Sequence, residues 1–213
     1  MSRAVHPVAP AVAALARLIC GAQAHWTAPP PTAPCVYIAN HSSHLDAVVL
    51  WAALPPGLRA LARPVAAKDY WDRGALRRFL ASRVFNAFLI ERAAAQPGED
   101  GHREHARRVV EATAAAMGDR HSLILFPEGT RGSGGEPAPF KSGIFHLSRL
   151  RPGLALVPAY IENLGRVLPK GEVAPVPLLA SVTFGAPFAL ADGEEKDAFL
   201  ARARQAVVSL HRL

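Results

Sequence analysis

The sequence predicts a single α/β domain: a mixed, mostly parallel sheet flanked by helices, with a short apolar helix ahead of it. Three observations carry that prediction. Short apolar runs alternate with stretches of helical spacing through most of the 213 residues, the pattern of strand–helix units layered around one core. Several of those runs, residues 35–39 and 121–126 among them, are almost continuously apolar, as central parallel strands covered on both faces are. Half of the residues are hydrophobic and only 19% are charged, so the chain folds and leaves little room for long disorder. One domain is expected at this length, and no repeat is visible. Residues 1–34 read as an N-terminal helix and connector, and residues 35–213 as the domain itself.

Taken in order, residues 8–24 are apolar and end in Ala22-Gln23-Ala24, a pattern resembling a leader-cleavage site, but Pro10 and Arg17 interrupt them. They read instead as a helix over 11–22 that packs on the domain or lies in a membrane interface. No run reaches the length of a bilayer span. Residues 27–34 form a stiff proline-rich connector. A strand at 35–39 leads into Asn40-His41-Ser42-Ser43-His44-Leu45-Asp46, then into a helix at 47–54 closed by Pro55-Pro56-Gly57. Residues 58–67 read as a second strand. Residues 70–85 read as one amphipathic helix, with Trp71, Ala75, Leu76, Phe79 and Leu80 at apolar positions and Arg73, Arg77, Arg78 and Arg83 elsewhere. That basic face suits solvent or anionic lipid equally.

A strand over 85–92 ends in Glu91-Arg92, residues 96–101 form a loop, and residues 103–117 a helix stopped by Gly118. The strand at 121–126 runs into a loop rich in glycine and charge at 127–135. A helix opens at Phe140-Lys141-Ser142-Gly143 and reaches 150; a strand at 154–160, a loop at 163–177 carrying Lys170, a strand at 178–184 and a helix at 194–213 complete the chain.

Charge narrows the partners. Lys plus Arg exceed Asp plus Glu by 24 − 17 = 7, with nine histidines besides. Such a balance favours nucleic acid, acidic lipid headgroups or phosphorylated small molecules. Aromatics at 7% offer no base-stacking platform, so nucleic acid is not an expected partner. Cys20 and Cys35 lie in apolar surroundings without metal-type spacing and read as buried thiols in a reducing compartment.

The chemistry concentrates at two strand ends. His41 and Asp46 leave the first strand together, where open α/β sheets place their ligand crevices. An imidazole that takes a proton near neutral pH needs a fixed tautomer and a partner for its charge, and a carboxylate supplies both. The same residues also fit a capping box, with Ser43 at the N-cap and Asp46 in the first turn. His44 opens a further option, since His41, His44 and Asp46 resemble a loose metal-ligand set. The second cluster is Phe126-Pro127-Glu128-Gly129-Thr130-Arg131. Gly129 lets a ligand approach the backbone, Thr130 offers a hydroxyl, and Arg131 a planar fork for phosphate. Glu128 orients that arginine or accepts from a substrate hydroxyl. On its own this is a surface turn with an exposed ion pair; following a central strand, it emerges on the sheet edge that carries His41, with Arg92 nearby.

These blocks, in this order, resemble the glycerolipid acyltransferases, the family that includes 1-acylglycerol-3-phosphate acyltransferase. Asn40 to Asp46 matches the family's histidine and aspartate separated by four residues. In the second block Ile90 and Arg92 match, while Asn86 stands where glycine is usual and Leu89 where phenylalanine is. The Phe126-to-Arg131 block matches throughout, with Gly132 in place of a frequent serine. Leu156-Val157-Pro158-Ala159-Tyr160-Ile161 resembles the fourth block, apolar with an internal proline.

The resemblance implies the fold of the glycerol-3-phosphate acyltransferases and transfer of a fatty acyl group from acyl-CoA or acyl-ACP to the free hydroxyl of a lysophospholipid. The first expected acceptor is 1-acylglycerol-3-phosphate, giving phosphatidate. By similarity His41 is the general base and Asp46 its partner, while Arg92, Glu128, Gly129, Thr130 and Arg131 hold the acceptor. Lys141 joins them on charge and position alone. No metal and no cofactor beyond the acyl donor is implied. The expected setting is the cytoplasmic face of a membrane, peripheral or monotopic. Two alternatives stand beside this reading: a metal-dependent hydrolase or thioesterase using His41, His44 and Asp46, and a non-catalytic module that binds acidic lipid, which would need no general base.

Overall fold

The computed structural model describes residues 6–21, 23–32, 34–91, 99–132, 136–162 and 180–211. Arg92 and the whole expected loop at 163–177, with Lys170, lie outside them. Seven strands form one sheet: β1 (Gln23–Trp26), β2 (Cys35–Ala39), β3 (Ala62–Ala67), β4 (Phe88–Ile90), β5 (Ser122–Leu125), β6 (Ala155–Glu162) and β7 (Ser181–Phe184). Their order across it is β1-β7-β6-β2-β5-β3-β4. The five strands from β6 to β4 run parallel, β7 is antiparallel to β6, and β1 runs parallel to β7. The sheet is therefore mixed and mostly parallel, as the alternation of runs predicts.

Every residue of the central strand β2 is buried. Its side chains alternate between two cores. Cys35, Tyr37 and Ala39 face one that includes α1 (Ala9–Cys20) and α2 (Asp46–Ala53). Val36 and Ile38 face the other, built with α6 (Glu99–Met117), α7 (Gly143–Leu150) and α8 (Lys196–Val208). Burial on both faces is why the run is continuously apolar. Pro158, inside β6, lacks a donor. The β6–β7 ladder ends at Ala159↔Phe184, one residue away, so none is needed on that side.

Helix α1 starts where Pro10 fits the first turn and stops at Gly21, whose φ of 58° closes it. It therefore lies two residues earlier than the expected 11–22. Arg17 does not disturb its packing. The side chain donates from Nε to the Ala52 carbonyl at 2.7 Å and from Nη2 to the Leu54 carbonyl at 3.3 Å, satisfying the open end of α2.

The strand expected at 85–92 is confined to β4 among the described residues, and α6 already begins at Glu99, within the expected loop at 96–101. Three further segments depart from expectation. Residues 23–26, unassigned from sequence, are strand β1; four residues are too short a run to stand out, and pairing with β7 and the stacking of Trp26 on Phe184 at 4.2 Å hold them there. The expected strand at 58–67 is helical in its first part, α3 (Pro56–Leu61), because Pro56 pre-sets a helical first turn, and becomes β3 only at Ala62. The expected helix at 70–85 is three pieces: α4 (Lys68–Trp71), α5 (Ala75–Phe79) and a π-helical turn at Leu80–Val84. Gly74, at φ 88°, breaks it. Both cysteines are buried free thiols. Among the described residues no helix is long and apolar enough to cross a membrane.

Candidate active site

β2 and β5 are neighbours, so their C-terminal ends open side by side although α2 to α6 lie between them in sequence. At the end of β2, Asn40 turns sideways and pairs with the last part of β6. Its Nδ2 donates to the Ile161 carbonyl at 2.9 Å, and its Oδ1 accepts the Ile161 amide at 2.7 Å. This buried clamp fixes where the chain leaves the sheet.

His41 follows and is fixed at several points. Its amide donates to Glu128 Oε1 at 2.7 Å, and its carbonyl accepts the Gly132 amide at 2.8 Å. Its ring stacks on Phe126 at 4.4 Å with 20° between planes. Nδ1 lies 2.7 Å from Asp46 Oδ2. That oxygen also accepts the amides of Ser42 at 2.6 Å and Ser43 at 2.8 Å. An acceptor-only carboxylate assigns the proton to Nδ1 and leaves the lone pair on Nε2. The His41 side chain is 23% exposed and Asp46 is 0% exposed, so the imidazole is reachable from solvent and its carboxylate partner is not.

Asp46 is the first residue of α2, where the helix dipole favours a carboxylate. The capping-box expectation is met in part. Asp46 takes the amides of the preceding residues as the box requires, whereas Leu45 occupies the N-cap and Ser43 Oγ accepts the Leu45 amide at 3.3 Å.

The loop after β5 wraps this unit. Glu128, 4% exposed, accepts the Ala138 amide on Oε2 at 2.9 Å while Oε1 holds His41. Each of its oxygens thus carries a main-chain donor, which makes Glu128 a brace for the histidine. Gly129 has φ 71°, and a Cβ there would lie 2.7 Å from Lys141 Nζ. Lys141 lies across the glycine, with its amide donating to the Pro127 carbonyl at 2.9 Å. Thr130 and Arg131 are exposed at the turn. Arg131 and Lys141 have no carboxylate partner among the described residues.

The structure thus gathers His41, Asp46, Glu128, Gly129, Thr130, Arg131 and Lys141 at one sheet edge; Arg92 lies outside the described residues. His44 takes no part in the His41–Asp46 pair. Its ring stacks on Tyr70 at 4.4 Å, and among the described residues no three His, Cys, Asp or Glu side chains form a metal-holding group. Burial, then the charges of Arg131, His41 and Arg77, push its pKa below the ordinary value. Sequence reasoning missed the Asn40 clamp, the Phe126 stack and Tyr70. Only the family pattern around Asn40 and Phe126 hints at the first two, and nothing local marks Tyr70.

A family model described as Acyltransferase matches residues 24–162, from β1 to the end of β6. The chain belongs to the acyltransferase family. A 1-acyl-sn-glycerol-3-phosphate acyltransferase of Cocos nucifera is 27% identical over 76% of this chain and 48% of its own length. Another, of Limnanthes alba, is 31% identical over 67% of this chain and 47% of its own length. The chain therefore spans about half the length of these curated relatives. The crystal structure of the 1-acyl-sn-glycerophosphate acyltransferase of Thermotoga maritima superimposes with a TM-score of 0.67 at 18% identity, covering 97% of this chain and 80% of that one. That is a likeness of fold.

Two departures from the acyltransferase pattern have places in the structure. Asn86, where glycine is usual, has a φ of 47°, a left-handed conformation that asparagine tolerates better than most residues. Gly132, where serine is frequent, gives its amide to His41, a bond that any residue but proline can make.

Proposed function

We propose that the chain transfers a fatty acyl group from an acyl thioester, on CoA or acyl carrier protein, to the free hydroxyl of a lysophospholipid, with 1-acylglycerol-3-phosphate as first acceptor and phosphatidate as product. The observation that carries this reading is the His41–Asp46 pair, with Nε2 open at the sheet edge beside the cationic turn. The acceptor hydroxyl gives its proton to Nε2 as its oxygen attacks the thioester carbonyl. Asp46 balances the imidazolium that forms. The tetrahedral oxyanion then collapses, the carbon–sulfur bond breaks, and the imidazolium returns the proton to the departing thiolate. The hydroxyl belongs to the substrate, so no acyl-enzyme forms. The amides of Thr130 and Arg131, which have no protein acceptor among the described residues, are suited to the oxyanion. Arg131 and Lys141 suit the acceptor phosphate, and Arg92 belongs with them by similarity. The reaction calls for no resident cofactor.

Docking on the cytoplasmic face of a membrane completes the reading. Six of the seven exposed large hydrophobics among the described residues, Val8, Leu15, Leu18, Ile19, Leu76 and Phe79, lie on or beside α1 and α5. His6 meets Phe79 edge-on at 5.2 Å, which brings the two segments together. With Arg73, Arg77 and Arg78 beside them they suit an anionic lipid surface. Sedimentation with anionic vesicles should fall in a Leu18→Glu, Leu76→Glu double variant whose circular dichroism is unchanged; full retention would refute this surface.

The activity is tested with purified protein, a long-chain acyl-CoA and a panel of lysolipids, following thiol release with and without a chelator. Release that depends on acceptor, ignores the chelator and disappears in His41→Ala is the expected result. Chelator-sensitive release without acceptor would overturn the reading in favour of a metal-dependent thioesterase.

A further inference from the structure

A second cation group reaches the catalytic loop from α5. The guanidinium of Arg77 lies over the Tyr70 ring, 4.5 Å from its centroid, and the same ring stacks on His44 at 4.4 Å with 10° between planes. The chain of contacts runs from the catalytic loop, through an aromatic ring, to an arginine on a separate element. Tyr70 is itself anchored edge-on by Trp71 at 5.6 Å, and Trp71 meets the buried Phe85 at 5.9 Å. The platform is therefore tied to the core rather than resting on the surface.

Arg77 is exposed and has no carboxylate partner or hydrogen-bond acceptor among the described residues. A guanidinium seated over a ring still carries five N–H donors that the ring does not use as hydrogen bonds. Those donors suit the oxygens of a phosphate. A purely solvated arginine gains little from such a mount. Through Tyr70 and His44, Arg77 lies two ring contacts from the loop that carries His41.

We propose that Arg77, carried on the ring of Tyr70, is a further binding residue for a phosphate group of a substrate, and that the His44–Tyr70 stack sets its distance from the catalytic loop. This rests on the acyl-transfer reading for the identity of the substrate. The shared chemistry is a phosphate oxygen. It comes from the acceptor, whose phosphate is close to the reacting hydroxyl, or from the donor, whose phosphates are separated from the thioester by the pantetheine arm. Arg77 is a specificity residue in this scheme, and Tyr70 a positioning one.

The test compares wild type with Arg77→Gln, Arg77→Lys and Tyr70→Leu in detergent, without a bilayer. Measured are KM and kcat for lysophosphatidate, for uncharged monoacylglycerol of the same chain, and for acyl-CoA. Binding of lysophosphatidate below its micelle concentration is followed by equilibrium dialysis. Loss of a charge-assisted contact is expected to raise KM and Kd for lysophosphatidate about 10-fold in Arg77→Gln and Tyr70→Leu. Arg77→Lys should restore part of this, and kcat/KM for the uncharged acceptor should not change. A rise confined to acyl-CoA would support the same role with the donor as phosphate source. Unchanged constants for both substrates in an active Arg77→Gln enzyme would overturn the inference alone. A wild type that binds lysophosphatidate Arg77-dependently yet transfers nothing would instead overturn the acyl-transfer reading.

Discussion

His41 is engaged at its amide, its carbonyl, its ring face and Nδ1, which leaves Nε2 as its open ring nitrogen among the described residues. Asp46 Oδ2 accepts three N–H groups, while Oδ1 is buried without a hydrogen-bond partner among the described residues. Asp46→Asn would keep one oxygen for those donors, put an unpaired NH₂ in the buried position and remove the charge that balances the imidazolium. Steady-state kinetics should show kcat reduced about 10³-fold with KM little changed. Glu128→Gln sets an amide NH₂ against either the His41 or the Ala138 N–H. It should cost about 1–3 kcal/mol in urea unfolding, with a fall in kcat as the histidine loses its brace. At this scale much was legible. The spacing of His41 and Asp46 and the composition of the turn marked residues that the fold does gather at one sheet edge, but that Glu128 serves the protein's own backbone was not readable, because its partners come from other parts of the fold.

Among the elements, β2 carries the site and the Asn40 clamp joins its end to β6. Asn40→Ala leaves the Ile161 amide and carbonyl without those partners. A loss of about 2 kcal/mol or more in unfolding free energy is expected, together with faster hydrogen exchange at Ile161; exchange unchanged from wild type would show that the clamp is not needed. Strands buried on both faces announced themselves through continuous apolar runs. The segment 70–85 did not announce its breaks, since its helical spacing continues across Gly74 and only the backbone reversal there shows them. β1 was silent for a related reason. Four largely exposed residues are too short a run to stand out and become a strand by pairing with β7.

For the molecule as a whole, pH supplies a test. Burial first, then Arg131, His41 and Arg77, lowers the pKa of His44; burial first, then Arg63 and Arg120, lowers that of His121. The unfolded chain therefore takes up these protons before the folded one does. Their contribution to stability is complete above the unfolded histidine pKa of about 6.5 and is lost as pH falls through the lower folded values. Thermal unfolding should show Tm declining below that pH, and a His44→Gln, His121→Gln double variant should show a shallower decline. An identical slope would exclude both groups as the cause.

The sequence by itself determined the α/β class, the two chemical blocks and the basic character of the chain, because each depends on local spacing and residue type. Tertiary structure decided which blocks meet. Insertion of β5 between β2 and β3 puts Glu128 on the amide of His41 and Phe126 on its ring. It likewise laid Lys141 over Gly129 and hung Arg77 on Tyr70 beside His44. Those contacts depend on strand order and on where a helix breaks, and both are settled by burial summed over the whole sheet rather than by any one stretch of residues.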